Sequence, residues 1–276
     1  MKIASNVHVH SSWCDGFNKP EEMAEAAINL NFTDLGFSSH SYTPFDPSTR
    51  TISSYDEYVK DISLLKKRYK DKLNILCGIE QDMHSPIDRQ LFDYTILSAH
   101  YLPLYDGIYT SVDHHPKILE DAIGDRYMNN SIALAKDYFS FLTSGVREHK
   151  PDILGHYDVI TKSNKEFRFF DENSKEYMDT AITYLDDILD TLNGYGGMIE
   201  INTSGIRYKW TGYPYAGTPF MLRRILQKKT RVIITGDSHE IGYLTYGFDE
   251  ALQLLTAYGF KSMTILENGI FRDISI

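Results

Sequence analysis

The sequence predicts an α/β fold in which parallel strands close into a barrel. Short apolar runs alternate with longer stretches of helical period along all 276 residues, which is typical of successive β-α-β units. Each apolar run ends in a polar side chain that could bind a ligand. No internal repeat, low-complexity tract or Pro/Gly/Ser-rich linker separates the runs, so we expect a single domain over residues 1–276.

The predicted strands are short segments rich in β-branched and aromatic residues and bounded by turn residues. They cover residues 2–10, 32–40, 73–82, 92–100, 152–158, 197–204, 231–239 and 261–267. After the last of these, the dipeptide Asn268-Gly269 predicts a hairpin into residues 270–276. The sequence therefore predicts seven or eight strands in the main sheet.

The helices between the strands have recognisable first residues. We expect Asn18 to cap a helix that begins near Pro20, and Ser54 to cap one that covers residues 55–72. The basic residues of the second helix are interpreted as a solvated face rather than a nucleic-acid patch, because the chain as a whole is acidic.

Composition excludes several classes of partner. With 42% hydrophobic and 24% charged residues the chain is globular, and its formal net charge of −10 argues against general affinity for nucleic acid or anionic membranes. Cys14 and Cys77 lack the spacing of a zinc ribbon or redox motif, and the first residues lack a signal-peptide pattern. We therefore expect a cytoplasmic protein without a nucleic-acid or membrane partner. Its oligomeric state is not predicted.

The polar side chains at the strand ends predict a metal site. His8 and His10, two residues apart on a strand, point to the same side, although such a pair alone also suits surface histidines. Later strands end in comparable side chains, namely His40, Glu80, His100, His156, Glu200, Asn202, Asp237 and His239. Because the carboxyl ends of parallel barrel strands meet on one face, these side chains are expected to be neighbours in space.

These segments also resemble a known family. The segment HVH followed by Asp15, and then SSH, GIE, SAH, GHYD and GDSH, are similar over essentially the whole chain to the PHP (polymerase and histidinol phosphatase) superfamily. The segments GIEQD, ILGHYD and EINTSG resemble its stand-alone histidinol-phosphate phosphatases. This resemblance implies a distorted (β/α)7, TIM-like barrel with three divalent ions at the C-terminal mouth of the strands.

The resemblance also implies how these ions are held. The implied sets are His8, His10, Glu80 and Asp237 for one ion, a bridging Glu80 with His100 and His156 for the second, and Asp15, His40 and His239 for the third. Imidazole and carboxylate ligands suit zinc, which we expect, or manganese or iron.

The expected chemistry is hydrolysis of a phosphomonoester. Three divalent ions carry six positive charges, of which Asp15, Glu80 and Asp237 balance three, and a phosphate dianion with a hydroxide supplies about the rest. Because bound metal ions activate water and stabilise the charge on the leaving oxygen, no nucleophilic side chain is required. We expect in-line attack of hydroxide on phosphorus, with Asp237 or His239 as the group that protonates the leaving alkoxide.

Substrate contacts are expected in the loops of residues 101–117, 158–171 and 203–219. Arg207 is the first candidate for binding phosphate, because a guanidinium binds phosphate oxygens in a bidentate manner. The other candidates in or beside these loops are Lys162, Lys209, Arg168, Asn202 and Ser204. Glu200, Asp82 and Asp158 are expected to orient ligands by hydrogen bonds.

The family resemblance implies one substrate and leaves others open. It implies conversion of L-histidinol phosphate to L-histidinol and phosphate in histidine biosynthesis. The alternatives are a related phosphatase that acts on a phosphotyrosine peptide or a nucleotide, and a metal-binding barrel module without catalysis.

Overall fold

The computed structural model describes residues 3–105 and 107–276. The strands are β1 (Ser5–Asn6), β2 (Asp34–Phe37), β3 (Asn74–Asp82), β4 (Tyr94–Ser98), β5 (Tyr101–Tyr105), β6 (Ile108–Ser111), β7 (Ile153–Leu154), β8 (Met198–Asn202), β9 (Arg231–Thr235), β10 (Ser262–Glu267) and β11 (Ile270–Ser275). The helices are α1 (Pro20–Asn29), α2 (Tyr55–Tyr69), α3 (Pro116–Tyr127), α4 (Ser131–His149), α5 (Lys175–Tyr195), α6 (Gly205–Tyr208), α7 (Pro219–Lys228) and α8 (Phe248–Tyr258). Lys2, which the prediction placed in the first strand, lies outside the described residues.

One curled sheet organises the fold. Its strand order is β1-β2-β3-β4-β7-β8-β9-β10-β11, and every neighbouring pair is parallel except the β10–β11 hairpin. At the C-terminal mouth, the chain beyond β1 pairs with the chain beyond β9, through hydrogen bonds from His10 N to Ser238 O (2.9 Å) and from Ser238 N to His8 O (3.0 Å). These bonds close the mouth as a ring of seven strands. The predicted distorted TIM-like barrel is confirmed.

Apolar side chains fill the barrel interior beneath the mouth. They are Val7, Leu76, Tyr94, Ile96, Ile153, Met198, Ile233 and Leu266. This filling is expected because a small barrel is a packed core rather than a pore. The polar strand ends above it are therefore held on a rigid apolar base.

The β10–β11 hairpin closes the opposite end of the barrel. Its turn is held by the buried carboxylate of Asp34, which accepts hydrogen bonds from Asn268 N (3.1 Å) and Gly269 N (2.7 Å). Phe271 of β11 packs edge-on against Tyr94. The hairpin predicted from Asn268-Gly269 is thus present, with β10 and β11 antiparallel.

Helices α1 and α2 both begin where they are predicted to begin, but the residue that caps α1 is not the predicted one. The Ser54 hydroxyl accepts a hydrogen bond from Glu57 N, which satisfies a free amide of the first turn of α2. At α1 the N-cap is Lys19, not Asn18, because the Glu22 carboxylate reaches back to accept from Lys19 N at 2.8 Å. Of the helices within residues 3–105 and 107–276, none has the length and apolar character needed to cross a membrane.

Candidate metal centre

The nine side chains of the three implied ligand sets lie together at the mouth of the barrel. His8 and His10 follow β1, His40 follows β2, and His100 follows β4, while Glu80 lies in β3. His156 follows β7, and Asp237 and His239 follow β9. Asp15 belongs to the loop between β1 and α1. Apart from Asp15, each side chain lies at or just beyond the carboxyl end of its strand, so the parallel topology itself brings them together.

Glu80 lies at the centre of the cluster and is 1% exposed. Its Oε1 is 3.3 Å from His8 Nε2, 3.4 Å from His100 Nε2 and 3.0 Å from His156 Nε2. Its Oε2 is 3.4 Å from His10 Nε2 and 2.8 Å from His40 Nδ1. One carboxylate therefore contacts five imidazoles from four different segments.

Two aspartates complete the cluster. Asp237 Oδ1 lies 3.2 Å from His10 Nε2 and 3.7 Å from His8 Nε2. Asp15 Oδ1 lies 3.5 Å from His40 Nε2 and 3.2 Å from His239 Nε2. In each of the three implied ligand sets, the imidazoles thus lie close to a carboxylate of the same set.

This donor set fits divalent cations. The atoms His8 Nε2, His10 Nε2, Asp15 Oδ1 and Glu80 Oε2 are buried and make no hydrogen bond of acceptable geometry with any described residue. Nitrogen and oxygen donors at about 2.0–2.1 Å from a tetrahedral zinc ion are separated by roughly 3.3 Å, close to the spacings found here. Four overlapping groups of three or four His, Asp and Glu side chains, all with ligand atoms within 4.8 Å of one another, occur in the cluster.

Hydrogen bonds outside the cluster fix the orientation of its histidines. Glu200, fully buried in β8, lies 2.8 Å from His8 Nδ1 and accepts from His156 N at 2.5 Å. Asp82 Oδ2 accepts from His100 N at 3.0 Å and lies 3.4 Å from His100 Nδ1. Carboxylates in such positions turn the second imidazole nitrogen inward.

Electrostatic coupling shifts the pKa values of the cluster. Burial alone would lower the pKa of His40, but Glu80 and Asp15 raise it to about 10. Burial would raise the pKa of Glu80, but His8, His40 and His100 hold it well below its usual range. The cluster therefore retains ionised carboxylates beside protonated imidazoles, and a cation that binds there must displace those protons.

Two cavities that share several lining side chains open above the cluster. The larger, about 130 Å³, is lined by Thr43, Thr49 and Tyr101 among others, and the smaller, about 60 Å³, by Ser204 and Tyr208 among others. The side chains that border both are Asp15, His40, His100, Asp113 and Lys162. Asp113 and Lys162 therefore face the space above the cluster.

Asp113 and Lys162 form an ion pair at this junction. Lys162 Nζ donates to Asp113 Oδ2 at 3.0 Å. Burial raises the pKa of Asp113, but Lys162 lowers it to about 2, whereas burial lowers the pKa of Lys162 and Asp113 raises it to about 12. Sequence reasoning named Lys162 but missed Asp113, whose only signal was its position in the 101–117 loop.

The other basic candidates lie away from the cavities. The Arg207 guanidinium stacks on the Tyr243 ring, 3.8 Å from its centroid, and Arg207 borders neither cavity of the described chain. Lys209 is 1% exposed and pairs with Asp158 and Glu172, so the interpretation of Lys209 as a substrate contact is wrong. A buried lysine with two carboxylate partners cannot reach a substrate.

The sequence profile of the PHP domain matches residues 6–204, well over half of the chain. The chain belongs to the PHP domain family. The matched residues include seven complete strands, β2 to β8, and seven of the nine clustered side chains.

Curated relatives of this PHP chain extend over nearly its whole length. A probable histidinol-phosphatase of Schizosaccharomyces pombe is 26% identical, and the aligned region covers 98% of this chain and 90% of the relative. The histidinol-phosphatase of Bacillus subtilis is 25% identical, and the aligned region covers 89% of this chain and 97% of the relative.

A solved structure shares the fold of the PHP chain. It is the histidinol phosphate phosphatase of Lactococcus lactis, complexed with zinc, L-histidinol and phosphate, with a TM-score of 0.72 and 19% identity over 98% of both chains. At this identity the likeness establishes the barrel fold.

Proposed function

We propose that this PHP chain is a metal-dependent phosphatase that hydrolyses L-histidinol phosphate to L-histidinol and phosphate in histidine biosynthesis. The observation that carries the proposal is the convergence of nine His, Asp and Glu side chains on the mouth of the barrel, with four buried nitrogen or oxygen atoms that lack hydrogen-bond partners among the described residues. The curated relatives that match over nearly the full length support the choice of substrate.

In this proposal three divalent ions, expected to be zinc, occupy the cluster. The proposed sets are His8, His10, Glu80 and Asp237; Glu80, His100 and His156; and Asp15, His40 and His239. The contacts of 3.0–3.7 Å between carboxylates and imidazoles of the same set support the assignment. Glu80 would be shared by the first two sets, since its Oε1 contacts His100 and His156 and its Oε2 contacts His10.

We assign phosphate binding to Lys162 rather than Arg207. The Lys162 ammonium borders both cavities and is held by Asp113, whereas the Arg207 guanidinium stacks on tyrosine rings. Ser204 would add a hydroxyl at the smaller cavity. Asn202, fully buried, supports Ser204 through its Oδ1, 2.7 Å from Ser204 Oγ, and donates to Glu200.

Bound divalent ions would neutralise phosphate charge and supply activated water at neutral pH. The residues of the chain orient that chemistry. The leaving alkoxide needs one proton, and Asp237 or His239 is proposed to supply it, because both border the smaller cavity. The apolar base of the barrel keeps the cluster inaccessible from below.

The size of the cavities favours a small leaving group. Pockets for larger ligands have volumes of roughly 300–1,000 Å³, whereas the larger cavity here is about 130 Å³. An amino alcohol with one imidazole ring suits this space better than a nucleoside or a peptide. Hydroxyls of Thr43, Thr49 and Tyr101 offer hydrogen bonds to the leaving group.

The proposal is tested by measuring phosphate release from L-histidinol phosphate, phosphotyrosine and a nucleoside monophosphate, with metal content determined in parallel. We expect selective cleavage of histidinol phosphate and loss of activity after chelation or in His10→Ala, with the circular dichroism spectrum retained. Selective cleavage of another ester would overturn the substrate. A metal-loaded, folded protein that cleaves none of the three would overturn the enzymatic proposal.

A further inference from the structure

Cys14 contacts the outer side of a proposed metal ligand. Its sulfur lies 3.3 Å from His10 Nδ1, and both side chains are buried. The opposite ring nitrogen, His10 Nε2, is 3.2 Å from Asp237 Oδ1 and 3.4 Å from Glu80 Oε2. The thiol therefore lies outside the cluster, with the imidazole ring between it and the carboxylates.

His10 needs an acceptor at this position. An imidazole that binds a metal through Nε2 carries its proton on Nδ1, and a buried N–H without a partner is costly. The other candidate acceptor, Asp15 Oδ1, is 4.0 Å from Nδ1, which is too far for a hydrogen bond. Among the described residues, the Cys14 sulfur lies within hydrogen-bond distance of this nitrogen.

Cys14 occupies the place that carboxylates occupy at two other histidines. Glu200 faces Nδ1 of His8 at 2.8 Å, and Asp82 faces Nδ1 of His100 at 3.4 Å. The backbone holds the thiol in place, since Cys14 N donates to Ser11 O at 2.9 Å.

We infer that Cys14 is a positioning residue: its sulfur accepts the Nδ1–H of His10 and holds Nε2 toward the metal. This inference rests on the metal centre of the proposed function. Sulfur is a weaker acceptor than a carboxylate, so His10 is a less basic ligand than His8, whose Nδ1 faces Glu200.

The test compares Cys14→Ala and Cys14→Ser with Cys77→Ala. Cys77 is the matched control, a buried cysteine in β3 that interacts with the charges of Asp93 and Lys66 rather than with a histidine of the cluster. Zinc affinity is measured by competition with a chromophoric chelator. We expect about 10–100-fold weaker binding in Cys14→Ala, affinity close to wild type in Cys14→Ser because the hydroxyl also accepts, and no change in Cys77→Ala.

A second measurement uses the unaltered protein, so that it holds even if Cys14→Ala does not fold. Nitrogen-15 NMR of the zinc-loaded protein should show His10 protonated at Nδ1. Protonation at Nε2, or wild-type zinc affinity in folded Cys14→Ala, would overturn the inference. Neither measurement involves a substrate. A protein that does not hydrolyse histidinol phosphate would therefore contradict the proposed function without contradicting the role of Cys14.

Discussion

At the residue scale, Glu200 illustrates how a side chain outside the cluster controls it. Oε2 receives His8 Nδ1 at 2.8 Å and the Thr235 hydroxyl at 2.8 Å, while Oε1 receives His156 N and the Asn202 amide. All four partners face Glu200 as donors. A carboxylate satisfies this arrangement because both of its oxygens accept.

Glu200→Gln should weaken metal binding with little change in shape. The amide would place a donor against two of these four donors and release either His8 or His156 from its orientation. We expect zinc affinity to fall about 10–100-fold, measured by chelator competition.

Glu172→Gln is the control, because Glu172 is equally buried but contacts Asn164 and Lys209 rather than the cluster. It should lower stability and leave zinc affinity unchanged. Wild-type zinc affinity in Glu200→Gln would show that Glu200 does not orient its histidines.

At the element scale, the loop between β1 and α1 is folded tightly against the first metal-binding segment. Cys14 N and Gly16 N both donate to Ser11 O, and Phe17 N donates to His239 O at 2.8 Å. A side chain at Gly16 would lie 2.5 Å from Ser11 N and 2.6 Å from Ser11 Cα. Those neighbours are backbone atoms, so the loop itself would have to move.

Gly16→Ala should therefore displace Asp15 and Cys14. We expect a stability loss of about 1–3 kcal/mol from overpacking, with weaker zinc binding, measured by chemical denaturation and chelator competition. Gly194→Ala is the control: a side chain at Gly194, within α5, meets no described atom within 4 Å, so the change should be neutral or stabilising by up to about 1 kcal/mol. Equal effects of the two substitutions would contradict the account.

A buried ion network connects the loops after β7 and β8. Lys209 pairs with Asp158 and with Glu172, the latter at 2.9 Å, and Asp158 also accepts from Ala216 N at 2.7 Å. Burial lowers the pKa of Lys209, but Asp158 and Glu172 raise it. Lys209 is thus charged and holds two loops against each other below the cavities.

Lys209→Met should leave two buried carboxylates without their cation. We expect a loss of about 3–5 kcal/mol in the free energy of unfolding, measured by chemical denaturation. Lys175→Met is the control, since its pair with Asp179 is exposed and such pairs contribute about 0–1 kcal/mol. A loss below 1 kcal/mol in Lys209→Met would contradict the role of the network.

The elements were predicted better where periodicity is strong than where the chain is irregular. Every predicted strand contains an observed one, but β1 and β7 keep only two residues each, because the chain departs from the ladder as it turns toward the metal cluster. The antiparallel pair β5–β6 was missed, since Pro103 and a register shift interrupt the alternation that identifies a strand. Local pattern does not encode such irregular pairing.

At the scale of the whole molecule, the grouping of the side chains was predictable, but their neighbours were not. The parallel order of strands brings His8 within 3.7 Å of Asp237, more than two hundred residues later in the chain. The burial of Lys209 against carboxylates and the pairing of Asp113 with Lys162 depend on how the loops pack. Sequence spacing does not determine that packing.

Because the cluster joins segments from both ends of the chain, metal binding should stabilise the entire barrel. A ligand that binds only the folded state raises stability with its concentration relative to Kd. Zinc should therefore raise Tm, and chelation should lower it, measured by thermal unfolding at constant pH. A Tm that is the same with and without zinc would contradict the closed, chain-spanning site.

The size of this stabilisation should increase with pH. In the metal-free protein the pKa of His40 is about 10, against about 6.5 in the unfolded chain, so its contribution to stability is complete below about pH 6.5 and is lost as pH rises through about 10. Metal binding has the opposite dependence, because the imidazoles must lose their protons to act as ligands. The difference in Tm between zinc-loaded and chelated protein should therefore be larger at about pH 9 than at about pH 6. A constant difference would mean that His40 is not protonated in the metal-free cluster, and that its contacts with Glu80 and Asp15 do not compete with the metal.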